Sequence, residues 1–109
     1  MYAKKHVKTI DDGSKRSVLA LCDATVLGKV LEEGKVFLDL KTNAGFYNGT
    51  LVKPLQAQTM LEEALVDAHC SINAVGEKSV SCLANALPSF KPEKTKSVQG
   101  VPHAHVYRV

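Results

Sequence analysis

The run of residues 17–22, Ser-Val-Leu-Ala-Leu-Cys, is apolar at successive positions and therefore on both sides of an extended chain. A strand of this kind is expected at the centre of a sheet that is covered on each face. The preceding polar cluster, residues 11–16, contains Asp12-Gly13, which is a strong short-range turn signal. Residues 2–9 are rich in lysine, as edge strands often are. The chain is therefore predicted to open with a hairpin whose second strand is central.

The remaining patterns predict further strands and helices around this hairpin. Asp23 is expected to cap a short helical turn over residues 24–30. The predicted strands are residues 2–9, 17–22, 35–40, 70–74 and 101–109, and the predicted helices are residues 54–68 and 77–87. The predicted fold class is α+β, a single domain over residues 1–109 with a small mixed or mainly antiparallel sheet of about five strands and two main helices.

The composition is that of an ordinary globular protein, with 45% hydrophobic and 23% charged residues. No apolar run approaches the roughly 18 residues that are needed to cross a bilayer, and no apolar stretch follows the basic N-terminus as in a signal peptide. Cys22, Cys70 and Cys82 form neither an even set nor a Cys-x-x-Cys pair, which argues against a disulfide framework and a zinc knuckle. We therefore expect a cytoplasmic protein with buried free cysteines, no cofactor and no membrane partner.

Positive charge is concentrated in the first half of the chain. Residues 1–54 hold nine basic and six acidic residues, whereas residues 55–109 hold five of each. RNA binding would need basic side chains on a common face and an exposed ring for stacking. The candidate RNA-binding residues are Lys4, Lys5, Lys8 and Arg16, with Tyr47 as the stacking residue and Lys91, Lys94 and Lys96 as a second basic cluster. The alternative interpretation is a solvated lysine edge with Phe46 and Tyr47 in the core.

The segment from Gly100 to His105 is the second candidate functional region, a candidate loop in which a rigid turn at Gly100-Val101-Pro102 presents the histidines of the predicted last strand. Residues two apart on a strand project from the same face, so His103 and His105 can point at one ligand. Imidazole pairs bind zinc or nickel, but a catalytic zinc site needs a third protein ligand, for which the candidates are His6, His69, Cys22 and Cys70. The alternative is that His103 bonds to the backbone and His105 lies on the surface. Gly100 and Pro102 are explained by backbone geometry.

Two further motifs are better explained by structure than by chemistry. Residues 76–79, Gly-Glu-Lys-Ser, open a helix whose free N–H groups can hold a phosphate, but no glycine-rich or Walker-type sequence accompanies them. Helix capping is therefore favoured there. Cys22 is followed by Asp23 but has no recognisable histidine partner, so a buried cysteine is favoured over a nucleophile.

Five short runs occur in order along nearly the whole chain. They are Cys22-Asp23 with Leu27-Gly28-Lys29, Glu33-Gly34, Phe46-Tyr47 with Gly49, Val75-Gly76-Glu77 with Ser79-Val80, and Gly100-Val101-Pro102-His103-Ala104. Together they resemble an archaeal family known as domain of unknown function 424. That family typically has Gln where this chain has His105. The resemblance implies a small α+β domain and no assigned activity.

Three kinds of function remain open. We favour a non-enzymatic module that binds RNA or a ribonucleoprotein in translation or RNA processing, because the first half is basic and no complete catalytic set is present. The first alternative is an enzyme or metal-binding domain centred on His103 and His105. The second is a protein–protein adaptor, which would expose a contiguous apolar patch.

Overall fold

The hairpin predicted at the start of the chain lies within a six-stranded sheet. The computed structural model describes residues 1–90 and 95–107. Strands β1 (Tyr2–Thr9) and β2 (Lys15–Cys22) pair antiparallel, and the Ser14 backbone N–H donates to the Asp12 carboxylate at 2.8 Å within the turn. The last four residues of β2 are buried, as predicted for a central strand.

The other elements complete a mixed α+β fold. They are β3 (Val30–Glu33), β4 (Val36–Asp39), α1 (Ala44–Tyr47), β5 (Thr50–Leu51), α2 (Pro54–Val66), β6 (Cys70–Val75), α3 (Glu77–Ala86), β7 (Lys96–Val98) and β8 (Val101–Val106). The strand order of the main sheet is β5-β1-β2-β6-β8-β7. Strands β2 and β6 pair parallel and the other neighbours pair antiparallel. The fold class is as predicted, with six strands in the sheet instead of about five.

The two faces of the sheet are covered by different elements. On one face, which we call the helix face, Leu19 and Ile72 of the sheet pack with Leu61 of α2 and Leu83 of α3. On the other, which we call the open face, a smaller cluster covers only part of the sheet. Its buried members are Ala20, Cys22, Val26, Leu40, Tyr47 and Val75. The alternation of β2 therefore supplies apolar side chains to both faces, which is the physical reason for its continuous apolar pattern.

The β3–β4 hairpin corrects two predictions. Residues 24–28 form turns without a helix, and Val30 already begins β3. The strand predicted over residues 35–40 is present as β4, but it pairs with β3 in a separate two-stranded sheet. Gly34, with φ of 60°, occupies the first position of the two-residue loop between them, where a type II′ turn needs a positive φ.

Helices α2 and α3 lie where the sequence predicts them, with slightly earlier ends. Pro54 is the first residue of α2, and the Lys53 backbone N–H donates to Gln56 Oε1 at 2.8 Å in front of it. The strands β5 and β7 fall outside the strands and helices that the sequence predicts. Because β5 pairs only with Tyr2 and Ala3, the rest of β1 is a sheet edge in the part of the chain that the structure describes. Lys91 and Lys94 of the second basic cluster, and residues 108 and 109, lie outside the described residues.

Cys22, Cys70 and Cys82 are free and buried, as predicted. Over residues 1–90 and 95–107, none of the helices is long and apolar enough to cross a membrane.

Candidate functional site

Strands β1, β2, β6 and β8 each turn every second side chain towards the open face. The register sets Lys8 opposite Arg16 near the first turn. Further along the sheet, Asn73 lies opposite His105, and Val75 opposite His103. The open face therefore runs from a pair of basic side chains at one end to a pair of histidines at the other.

A pocket of about 320 Å³ opens on this face beside α1. Its lining includes Arg16, Phe46, His69, Asn73, His105 and Tyr107. Among the described residues that line it there is neither Asp nor Glu. Tyr107 is 82% exposed at the rim. The pocket thus combines a guanidinium group, imidazoles and two aromatic rings with no neighbouring carboxylate in its wall.

Phe46 of α1 lines the pocket, and contacts with β1 hold its side chain in position. Its ring stacks on the His6 imidazole, with the ring centroids 4.5 Å apart and the planes 8° from parallel. The His6 Nε2 atom lies 2.9 Å from the Phe46 carbonyl oxygen. The Lys4 ammonium group donates to the Gly45 carbonyl oxygen at 2.7 Å. These contacts fix α1, and with it the Phe46 ring, against the edge of the sheet.

The four basic residues predicted to share a face are divided between two faces. Lys4, Lys8 and Arg16 point to the open face by the alternation of their strands. Lys5 follows the alternation of Ala3, which is buried on the helix face. Lys5 accordingly lines a cleft with Met60, Glu63 and Ala64 of α2. The expectation of one common face is therefore wrong for Lys5, because adjacent residues of a strand point in opposite directions.

Tyr47 is not available for stacking at the surface. Its side chain is 5% exposed and belongs to the core under the open face. Burial is the main cause that raises the pKa of its phenol to about 12. The Phe46 ring meets it edge-on, with centroids 5.0 Å apart and planes at 81°. The rings that reach the pocket are instead Phe46 and Tyr107, and Tyr107 is marked in the sequence only by its alternation with His103 and His105.

His103 and His105 converge, as their spacing predicts for a strand. Their Nε2 atoms are 3.2 Å apart, and the ring centroids are 4.7 Å apart with the planes at 83°. Burial lowers the pKa of His103, and the neighbouring His105 and Lys96 lower it further. Within the described ranges, no group of three or more His, Cys, Asp or Glu residues is placed to hold a metal ion. Cys22 and Cys70 are in the core instead.

Gly100 lies in the turn of the β7–β8 hairpin, while Pro102, His103 and His105 lie on β8 and not in a loop. Gln99 and Gly100 are the two turn residues, with φ of 51° and 78°. Positive φ at both positions is what a type I′ turn requires. The Pro102 carbonyl oxygen accepts a hydrogen bond from the Gly76 backbone N–H at 2.8 Å. Gly100 and Pro102 therefore shape the backbone that carries the histidines.

A buried carboxylate organises the opposite end of β2. Asp23 is 7% exposed. Its Oδ1 atom accepts from the Ser79 backbone N–H and hydroxyl, each at 2.8 Å, and its Oδ2 atom accepts from the Lys78 backbone N–H at 3.0 Å. Asp23 thus caps α3, which is distant in the chain. The sequence predicts instead that it caps the turn directly after it. Because Asp23 and Ser79 are 56 residues apart in the chain, no local sequence pattern predicts this cap on α3.

The same junction explains Gly76 and decides the motif at residues 76–79. A Cβ atom on Gly76 would lie 2.3 Å from Asp23 Cγ, and the residue has φ of 105°. The Asp23 carboxylate occupies the place at the start of α3 where a bound anion would otherwise accept the N–H groups. Capping is therefore the role of this segment, as the sequence favours, although the cap comes from Asp23.

Comparisons with known proteins agree with this fold. A crystal structure of an uncharacterized conserved protein from Methanopyrus kandleri superposes with a TM-score of 0.75 and 27% sequence identity, over 98% of this chain and 91% of that chain. No curated protein matches this chain. Residues 10–109 match the family model described as protein of unknown function DUF424. The chain therefore belongs to the DUF424 family.

Proposed function

We propose that this protein is a non-enzymatic module that binds single-stranded RNA on the open face of its sheet. The observation that carries the proposal is the pocket beside α1, in which Arg16 and two aromatic rings line one cavity and no described lining residue is acidic. Single-strand binders combine positive charge for the phosphates with rings on which bases stack. Both components are present within this pocket.

The paired positions of Lys8 and Arg16 favour a polyanion as the ligand. The two residues are direct cross-strand partners, so their side chains leave the sheet side by side. Like charges directly opposite each other destabilise a sheet. A phosphate group placed between them would remove that repulsion and gain two favourable charge interactions.

The rings are placed to hold bases beside those charges. The stack on His6 already holds the Phe46 side chain in place, so RNA binding costs little additional side-chain entropy. Tyr107 projects at the rim, and stacking on such a ring contributes about 1–3 kcal/mol per base. Among the described residues, the buried Asn73 Oδ1 atom in the same wall has no hydrogen-bond partner. A base N–H that reached it would satisfy this acceptor.

The natural ligand in this proposal is RNA, free or within a ribonucleoprotein of translation or RNA processing, in the cytoplasm. The three free cysteines support a reducing compartment, where thiols persist.

The proposal is tested by fluorescence anisotropy with a labelled single-stranded RNA over a range of salt concentrations. Two phosphate contacts predict a slope of about −1.4 for log K against log salt, since each contact to a single strand contributes about −0.7. Arg16→Gln should weaken binding and reduce the slope by about 0.7. Binding that is absent at low salt, or insensitive to salt, would contradict the proposal.

A further inference from the structure

We propose that His103 and His105 form an open two-histidine site for a divalent transition-metal ion, with Cu²⁺, Ni²⁺ and Zn²⁺ as the ions that fit. Imidazole nitrogen is a donor that these ions prefer. The inference goes beyond RNA binding and does not depend on it.

The distance between the two imidazoles is the first argument. Their Nε2 atoms are 3.2 Å apart. Two nitrogens that each lie about 2.0–2.1 Å from one tetrahedral ion are about 3.3 Å apart. In the metal-free arrangement one Nε2–H donates to the other Nε2 atom, so both nitrogens already face the same small volume. Replacing the shared proton with an ion requires both rings to turn so that each Nε2 lone pair points at the ion.

The backbone under the pair is the second argument. Strand β8 lies between β6 and β7, and both neighbours pair with it at His103. Sites built on strands keep ligand positions more precisely than sites on loops. The half-buried His103 and the exposed His105 leave one side of the pair towards solvent. The ion would therefore be approached from the open face.

The site has two protein ligands, His103 and His105, and this number makes it an open site. Within the described part of the chain no third His, Cys, Asp or Glu joins the pair. The remaining coordination positions therefore belong to water, as expected for an open and exchangeable site. Mg²⁺ and Ca²⁺ need several oxygen ligands, which the pair does not offer. Among the ions that fit, Cu²⁺ should bind most tightly.

The experiment is calorimetric titration of the full-length protein, without a histidine tag, with Cu²⁺, Ni²⁺, Zn²⁺ and Mg²⁺. We expect one ion per chain, with Cu²⁺ bound most tightly and Mg²⁺ not bound. His103→Gln should lower the affinity at least about tenfold, because one imidazole alone cannot chelate. The control His69→Gln removes an exposed imidazole outside the pair and should leave metal binding as in the wild type. Equal affinity of wild type and His103→Gln would overturn the proposal.

Imidazole nitrogen NMR spectra with saturating Zn²⁺ separate chelation by the pair from binding to a single ring. The Nε2 resonances of His103 and His105 should shift together, while those of His6 and His69 stay in place. A shift of one ring alone would contradict a two-histidine site. Neither measurement includes RNA, so either one can fail while RNA binding persists. His105 also lines the RNA pocket, so the affinity test uses the His103→Gln variant, whose changed residue does not line that pocket.

Discussion

Asp23 links the two parallel strands to the helix that follows them. It directly follows β2, and its carboxylate accepts three hydrogen bonds from the start of α3, the helix that follows β6. A carboxylate is stabilised beside the positive end of a helix, and here it also satisfies backbone donors that have no partner within the helix. Arg16, near the other end of β2, lines the pocket beside α1 that we propose as the RNA site. The strand thus has a buried capping carboxylate directly after its last residue and a guanidinium group near its start.

Asp23→Asn tests the cap with minimal change of shape. An amide NH₂ group replaces one of the two accepting oxygens, so at least one backbone donor at the start of α3 loses its partner. We expect the free energy of unfolding in urea to fall by about 1–3 kcal/mol. Asp12→Asn, the same change at the exposed carboxylate of the first turn, should have a much smaller effect. Equal losses in the two variants would show that the buried cap is not special.

Cys22 and Tyr47 make the stability sensitive to alkaline pH. Burial, and then the nearby Asp23, raise the pKa of the Cys22 thiol from 9.0 to about 12. Burial, and then Cys22, raise the pKa of the Tyr47 phenol from 10.0 to about 12. The unfolded chain therefore releases both protons at a lower pH than the folded chain. The resulting contribution to stability is complete below about pH 9 and is lost as the pH rises towards 12.

The measurement is urea denaturation at several pH values between about 8 and 11. We expect the free energy of unfolding of the wild type to decrease with pH over this interval. Cys22→Ala should decrease less steeply, because one of the two groups is removed. An identical dependence on pH in both proteins would mean that the thiol does not contribute.

Among the elements, α2 best illustrates how sequence pattern and packing agree. Pro54 and the apolar spacing predict it, and the stripe that contains Leu61 is the side that enters the core. Leu55, six residues earlier, is 79% exposed. Hydrophobic residues of one helix therefore contribute differently to the free energy of unfolding, because some face the core and others face solvent.

The pair Leu61→Ala and Leu55→Ala measures that difference. Leu61 is fully buried, so truncation should cost about 2–5 kcal/mol of unfolding free energy through lost burial and the cavity left behind. Leu55→Ala should change it by less than about 0.5 kcal/mol. Thermal or urea denaturation measures the change in unfolding free energy for both variants. A small loss for Leu61→Ala would mean that α2 does not pack on the sheet as described.

Short elements mark the limit of what could be predicted from the sequence. Strands β3, β5 and β7 have only two to four residues, which is too few for a clear alternation of apolar and polar positions. Strands β3 and β7 pair within local hairpins, whereas β5 pairs with β1, which is distant in the chain. Phe46 and Tyr47 are adjacent in a four-residue helix, where successive side chains point in different directions. Tyr47 therefore enters the core while Phe46 lines the pocket, and the sequence alone does not show which ring takes which position.

The candidate site was predictable only where strand alternation applies. The common direction of His103 and His105 follows from their spacing on β8. The separation of Lys5 from Lys4 and Lys8 follows from the same alternation once the strand is known. The convergence of α1 with β2, β6 and β8 around one pocket depends on the whole topology. No local signal in the sequence carries that information.

At the scale of the whole molecule, the two faces of the sheet have different tasks in this account. The helix face carries the larger hydrophobic cluster beneath α2 and α3. The open face is covered only in part and presents Lys8, Arg16 and the pocket. The central claim is that RNA binds to the open face and not to positive charge elsewhere on the surface.

The most direct test compares Lys8→Glu with Lys5→Glu in the RNA anisotropy assay at low salt. Both lysines are exposed on β1, so the substitutions change the net charge equally, but only Lys8 is on the open face. The account predicts that Lys8→Glu weakens RNA binding about tenfold or more while Lys5→Glu changes it less than about twofold, with both proteins folded by circular dichroism. Equal weakening by the two substitutions would show that binding follows net charge and would contradict a site on the open face.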